Sequence, residues 1–179
     1  MGEPRRLVLT GPESVGKTVL AATLVTRFEA ELAREFVREY AAPRGNRLGY
    51  DDHEAIARGQ MAMEDAAIAR ARARGVPLVV HDTDLVSTVL YHDHYYGRWP
   101  QWMEEAARAR LADRYLLLDV DVPWVPDAVR DRGDRREEML ALFQHWLDRL
   151  GASWTLVSGD WAARERAAVA EIEGLGVGG

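Results

Sequence analysis

Short apolar runs alternate with long stretches of helical periodicity along the whole chain. The runs at residues 6–10, 32–37, 76–82, 114–120 and 153–158 are each bounded by glycine, proline or charge, the signature of buried strands. Between them, residues 16–31 predict a helix, and residues 51–74 place Ile56, Gln60, Met61, Ala67, Ile68 and Ala71 on one stripe suited to face a sheet. Pro100 opens a helix reaching Leu111, since a first helical turn has no intrahelical donor to lose. Residues 136–150 space Met139, Phe143, Trp146, Leu147 and Leu150 at helical intervals up to Gly151, and Asp160 is placed to cap a last helix ending at Glu173. This rhythm predicts an α/β fold, a parallel sheet wrapped by helices. No repeat or linker interrupts it, so residues 1–173 read as one domain. The tail, 174–179, has four glycines in six residues and reads as frayed.

Composition narrows the picture. At 179 residues and 47% hydrophobic content, the chain can bury one sizeable core. Its 29 acids against 23 bases give a net charge of −6, which disfavours a surface built to grip nucleic acid. The absence of cysteine excludes disulfides, thiolate nucleophiles and cysteine-ligated zinc. The apolar run before Gly11-Pro12 is too short for a signal peptide or a membrane span, so the expected location is the cytoplasm. A homo-oligomer is compatible with all of this.

The turn after the first strand carries the sharpest chemistry. Gly11-Pro12-Glu13-Ser14-Val15-Gly16-Lys17-Thr18 fits the phosphate-loop pattern of glycine, four residues, glycine, lysine, then serine or threonine, in the strand-to-helix context the pattern requires. The glycines let backbone N–H groups turn inward around phosphate oxygens, and the helix N-terminus adds partial positive charge. Lys17 is the candidate cation for the β- and γ-phosphates of ATP, and Thr18 the candidate hydroxyl ligand for Mg2+. The plain alternative is a glycine-rich turn that only caps a helix.

The third strand delivers Asp82 and Asp84 at its C-terminal tip, the edge of a parallel sheet where ligands bind. Asp82 is the candidate magnesium ligand opposite Thr18, and Asp84 a candidate catalytic and substrate-binding acid. Either alternatively caps a following helix. Residues 33–40 bring two Arg-Glu pairs around the second strand. Their plain reading is a solvated, ion-paired face. A kinase often needs a carboxylate to take the proton of the attacking hydroxyl, however, and Glu35 is the first candidate, with Asp82 and Asp84 behind it. Glu39 and Tyr40 are candidate substrate contacts.

Residues 121–136 hold Pro123, Pro126 and then Arg130, Arg132, Arg135 and Arg136. As a short lid over the phosphates this segment would supply guanidinium charge and exclude water, with Arg130 and Arg135 as the candidates. As a plain loop its arginines pair with Asp131, Asp134 and Glu137. Trp146 belongs to the core by its spacing, whereas Trp99, Trp102 and Trp124 lie near the expected active edge, where one could stack on a substrate ring. His92 and His94 lack a second ligand cluster and read as polar surface.

Five groups of residues together resemble the ribosylnicotinamide kinase domain of NadR-type NAD-biosynthesis proteins over residues 6–164. They are Gly-Pro-Glu-Ser in the phosphate loop, Arg38-Glu39-Tyr40, Ile56-Ala57-Arg58-Gly59-Gln60, Asp82-Thr83-Asp84 with Thr88, and Pro123-Trp124-Val125 with Asp127 and Arg130. The resemblance implies a P-loop NTPase/kinase fold with a five-stranded parallel sheet and a short arginine-rich lid. It implies ATP-dependent phosphorylation of nicotinamide riboside on its 5′-hydroxyl, giving nicotinamide mononucleotide. It further implies that Gly11 to Thr18 bind the ATP phosphates, that Asp82 and Asp84 serve magnesium and substrate, that Arg130 lies in the lid, and that Ser158-Gly159-Asp160 border the adenine. The chain departs from the pattern at Ala128, where the family has glycine, and has no His-x-Gly-His for an adenylyltransferase. Separately, a cleft lined by Glu35, Glu39, Asp82 and Asp84 suits a pyridinium cation better than an anionic nucleotide. At the level of sequence two alternatives stay open: a kinase for another nucleoside or nucleoside monophosphate, and a nucleotide-dependent switch. Nucleic acid and membrane are not expected partners.

Overall fold

The computed structural model describes residues 2–122 and 135–178. Five strands, β1 (Arg5–Thr10), β2 (Glu31–Ala33), β3 (Leu78–Asp82), β4 (Arg114–Leu118) and β5 (Trp154–Val157), form one wholly parallel sheet in the order β2-β3-β1-β4-β5. The inner strands are almost continuously apolar because helices cover both faces. Leu7, Leu9, Leu78, Val80, Leu116 and Leu118 pack on one side with α1 (Lys17–Phe28) and α7 (Trp161–Gly174). Val8, Tyr115 and Leu117 face the other side with α4 (Leu85–Tyr96), α5 (Gln101–Ala109) and α6 (Arg136–Leu150), whose Trp146 is fully buried. The long α3 (Asp52–Arg74) lays Ala67 and Ala71 against Ala33 and Val79. Pairing β1 with β3 and β4 brings the phosphate loop beside the acidic tip of β3, where the strand order opens a crevice.

Several boundaries differ from the sequence reading. The run at 32–37 is strand only as far as Ala33, and Phe36–Ala41 form a short helix, α2. The cause lies in α3: Gln60 Oε1 accepts the Phe36 N–H at 2.9 Å, and the missing side chain of Gly59 leaves room for the Phe36 ring. Residues 85–96, which the sequence rhythm did not separate from a loop, form α4, and Asp84 caps it by accepting from Val86 N at 3.1 Å. Helix α1 stops at Phe28 because Glu29 adopts a left-handed conformation. The tail read as frayed is packed as far as Val177, which is buried in the core beside Ile172. Among the described residues, no helix is long and apolar enough to cross a membrane.

Candidate active site

Gly11 to Thr18 connect the tip of β1 to α1. Gly11 (φ 136°) and Gly16 (φ 88°) take backbone angles that side chains rarely adopt. Close approach demands glycine as well: a Cβ on Gly11 would stand 2.8 Å from the Leu118 carbonyl oxygen, and one on Gly16 would strike the Trp161 ring at 2.1 Å. Gly16 caps α1 and has no side chain to offer the helix N-terminus, which faces the loop. Lys17 is buried, and its Nζ donates to the carbonyls of Gly11 at 2.9 Å and Pro12 at 2.5 Å, which holds the ammonium over the loop.

Thr18 Oγ1 donates to Asp82 Oδ2 at 2.6 Å, joining the start of α1 to the end of β3. Asp82 Oδ1 is buried with no hydrogen-bond partner among the described residues. Burial raises the Asp82 pKa and the nearby Glu35 adds to this, while the Thr18 bond opposes it. A dication would satisfy the orphaned oxygen and offset the cost of burial. Magnesium usually takes one or two carboxylates and completes its shell with phosphate oxygens and water. Among the described residues no cluster of three metal-ligating side chains exists. The Thr18–Asp82 pair therefore fits a magnesium ion that arrives with a nucleotide.

Beside this pair opens a pocket whose walls include Glu35, His53, Ile56, Asp84, Tyr91 and Tyr95. Thr83 takes φ 65°, a strained value for a β-branched residue, and so sends its two neighbours in different directions. Asp82 meets Thr18, whereas Asp84 Oδ2 accepts from Tyr115 OH at 2.6 Å. Burial pushes the Asp84 carboxyl up to about 7, and the charge of Glu64 pushes the same way, against the Tyr115 bond. Glu35 is buried at the junction of β2 and α2, and its Oε2 accepts from Arg38 Nε at 2.7 Å. Helix α3 joins the two walls. Gln60 takes the Phe36 N–H on its oxygen and donates to Glu64 Oε1 at 3.2 Å, and that same oxygen accepts Leu85 N at 3.0 Å.

Two buried arginines were not singled out by the sequence reading. Arg164 is fully buried in α7 and donates to the carbonyls of Gly159 (2.9 Å), Val15 (3.1 Å) and Asp119 (2.9 Å), and to the Asp121 carboxylate. It thus ties the phosphate loop to the exits of β4 and β5. Arg136 Nη1 donates to the Val122 carbonyl at 2.8 Å, while its buried Nε and Nη2 have no partner among the described residues. Burial and the charge of Arg164 lower its pKa, and Asp121 and Glu13 act in the opposite sense. Arg164 carries no sequence signal, because it sits in an ordinary helical pattern. Arg136 belongs to an arginine run in which spacing alone does not separate one member from another.

The remaining expected site residues divide. Gly159 (φ 94°) lies at the exit of β5, its N–H on Asp121 Oδ2 at 2.5 Å and its carbonyl on Arg164. Glu39 is exposed and outside the pocket, Tyr40 bonds Asp52 Oδ1 at 2.9 Å beneath Arg44, and Arg135 is exposed before α6. Trp99 packs edge-on against Trp146 with ring centroids 4.9 Å apart and donates to Glu104, and Trp102 lies against Arg58. Neither ring lines the pocket, whose aromatic walls are Tyr91, Tyr95 and His53. His92 is not surface: it is buried, within 2.6 Å of the Arg98 carbonyl and edge-on to His53. Trp124, Arg130 and the rest of the expected lid between 123 and 134 lie outside the described residues.

A phosphate loop at the tip of β1, an acid at the tip of β3 and this strand order define a P-loop nucleotide-binding domain of the kinase-like type. Residues 6–164 match the AAA domain family, and the chain belongs to that family. It is 30% identical over 140 residues to the trifunctional NAD biosynthesis/regulator protein NadR of Escherichia coli (strain K12), covering 74% of this chain and 33% of that protein. Against the protein of the same name from Salmonella typhimurium (strain LT2) it is 29% identical over 133 residues, 72% of this chain and 32% of that one. The crystal structure of a NadR protein in complex with NAD and AMP-PNP matches with a TM-score of 0.75 at 19% identity, over 96% of this chain and 49% of that one. A NadR protein in complex with NR matches with a TM-score of 0.72 at 21% identity, over 98% and 53%. The chain thus spans about a third of the curated relatives, 33% and 32%. The resemblance to the NadR-type kinase domain holds in both sequence and fold.

Proposed function

We propose that the domain transfers the terminal phosphoryl group of ATP to the 5′-hydroxyl of nicotinamide riboside, giving nicotinamide mononucleotide. One juxtaposition carries this reading: the cradle of Lys17, Thr18 and Asp82 stands beside an aromatic pocket that holds the buried acids Glu35 and Asp84. A ribosylated pyridinium suits such a pocket, since its cation is attracted to aromatic faces and carboxylates while its ribose hydroxyls need buried polar partners. The relationship to proteins named for NAD biosynthesis, and the likeness to a NadR structure holding NR, support the same substrate.

In this reading Lys17 exchanges the Gly11 and Pro12 carbonyls for phosphate oxygens. Thr18 and Asp82 would hold magnesium, which when bound would offset the charge of the phosphates. Glu35 accepts the proton of the acceptor hydroxyl as that oxygen bonds to the terminal phosphorus and the bond to the bridging oxygen breaks, releasing ADP. Asp84 has one oxygen on Val86 N and the other on Tyr115 OH, so it shapes the pocket and leaves the base role to Glu35. Arg136, whose buried Nε and Nη2 have no partner among the described residues, supplies charge to the transferring group. The arginine-rich segment acting as a lid belongs to the same proposal.

The test is ADP release by the purified chain with ATP and magnesium, offered nicotinamide riboside, common ribonucleosides, deoxynucleosides and nucleoside monophosphates in turn. Turnover with nicotinamide riboside about tenfold or more above the others is expected. Turnover with deoxynucleosides but not with the riboside overturns the substrate assignment, and ADP formation that no acceptor stimulates overturns the transfer reading.

A further inference from the structure

We infer that Trp161 is the platform on which the purine base of the triphosphate donor stacks. The inference rests on the reading of Gly11 to Thr18 as a triphosphate site and holds whichever acceptor is used.

Large apolar side chains that stand well exposed are few among the described residues, and two of them flank the phosphate loop: Val19 at 62% and Trp161 at 51%. Val19 directly follows Thr18. The six-membered edge of the Trp161 indole lies against Gly16, so close that a Cβ there would come within 2.1 Å of it. Its backbone is fixed, because Trp161 opens α7 under the Asp160 cap, which accepts Ala163 N at 2.8 Å. The Arg164 guanidinium lies 5.9 Å from the ring centroid and is itself locked to the carbonyls of Gly159, Val15 and Asp119. The indole is therefore backed by Gly16 and Arg164 on the protein side, with half of its surface left to solvent.

Phosphates gripped by the loop leave the attached nucleoside to emerge at the N-terminus of α1, beside this ring. A flat, preorganised aromatic surface gains by stacking on a base without ordering cost. At Gly159 the backbone has little left for reading base edges, since its N–H is spent on Asp121 and its carbonyl on Arg164. The base is held by its face, and purines, which offer the larger face, are the class that fits.

The experiment compares two ligands on the whole chain by calorimetry with magnesium: ATP, which carries a base, and inorganic tripolyphosphate, which does not. Trp161→Ala is expected to weaken ATP binding about five- to hundredfold and to leave tripolyphosphate within about twofold, with Trp161→Phe recovering most of the loss. ATP should also quench tryptophan emission in the wild type, and this quench should vanish in Trp161→Phe. Equal losses for both ligands would mean that the ring only shapes the loop at Gly16, and no loss for either would place the base elsewhere. Either result overturns the inference. A wild type that binds ATP but phosphorylates no nicotinamide riboside would sink the acceptor assignment and leave this inference standing.

Discussion

Replacing Gly59 by alanine sets two effects of opposite sign against each other. Gly59 lies inside α3, where alanine is the better helix former by about 1 kcal/mol. Against that gain, the new Cβ would stand 2.1, 2.3 and 2.4 Å from three atoms of the Phe36 ring. Shifts of a few tenths of an ångström do not relieve such overlaps, so the ring has to move. Its backbone resists retreat, because the Phe36 N–H is bonded at 2.9 Å to Gln60, the very next residue of the same helix. Swinging the ring outward forfeits apolar burial on the order of 1–2 kcal/mol, and forcing it to stay costs about 1–3 kcal/mol of overpacking. The clash outweighs the propensity gain, leaving a net destabilisation of up to about 2 kcal/mol and a Tm lowered by up to about 8 °C in a chain of this size. Glu35 precedes Phe36, so acceptor turnover should fall as well, while ATP affinity, set by the loop, holds. Denaturant unfolding, ADP release and ATP titration measure the three effects. A Gly59→Ala variant that melts above the wild type refutes the packing argument. So does strict additivity with Phe36→Leu, which should instead recover part of the loss in the double variant.

Other outcomes follow from the same geometry. Glu35→Gln should slow acceptor phosphorylation at least about a hundredfold with unchanged ATP affinity, and near-normal turnover would move the base elsewhere. Arg136→Met should lower kcat about 10²- to 10³-fold with a modest change in Tm, and unaltered kcat would remove Arg136 from the transfer step. Asp84→Asn preserves the helix cap and tests the pH dependence. A carboxyl raised from 3.8 to about 7 is more protonated in the folded state than in the unfolded one, so it lowers stability as pH rises from about 4 to 7. The buried His81, pushed from 6.5 down to about 3, acts oppositely below its unfolded value. The diagnostic is therefore variant minus wild type, which should grow by about 1–3 kcal/mol between pH 5 and pH 8 in denaturant melts. A constant difference would show that Asp84 does not hold that proton.

What the sequence disclosed was whatever depended on near neighbours. The phosphate loop is local, and so is the apolar run that ends on Asp82. The pairing of Thr18 with Asp82 was legible because strand-tip chemistry in parallel sheets repeats. The second strand stops short of its expected end because the apolar residues Leu32, Ala33, Phe36 and Val37 give no sign of the remote glycine and glutamine that set Phe36 at the start of α2. Helix α4 is obscured by Val86, Thr88, Val89 and its aromatic residues, which favour strands on propensity, yet Val86, Val89 and Tyr91 here pack in one cluster with Met103 and Phe143. Trp99 looked available only because its partners Trp146 and Glu104 are distant in sequence or on another turn. His92 looked exposed until Tyr50, His53 and Tyr96 enclosed it. Arg164 could not be foreseen, since its acceptors come from three separate loops.

That arginine also makes the loop answerable to a remote part of the chain. The Val15 carbonyl finds its buried partner only when α7 docks. A fragment cut near residue 160 would contain every motif residue of the phosphate loop yet lack the guanidinium that fixes the loop's shape. The cradle is thus a property of the folded domain, and the motif transplanted alone would not reproduce it.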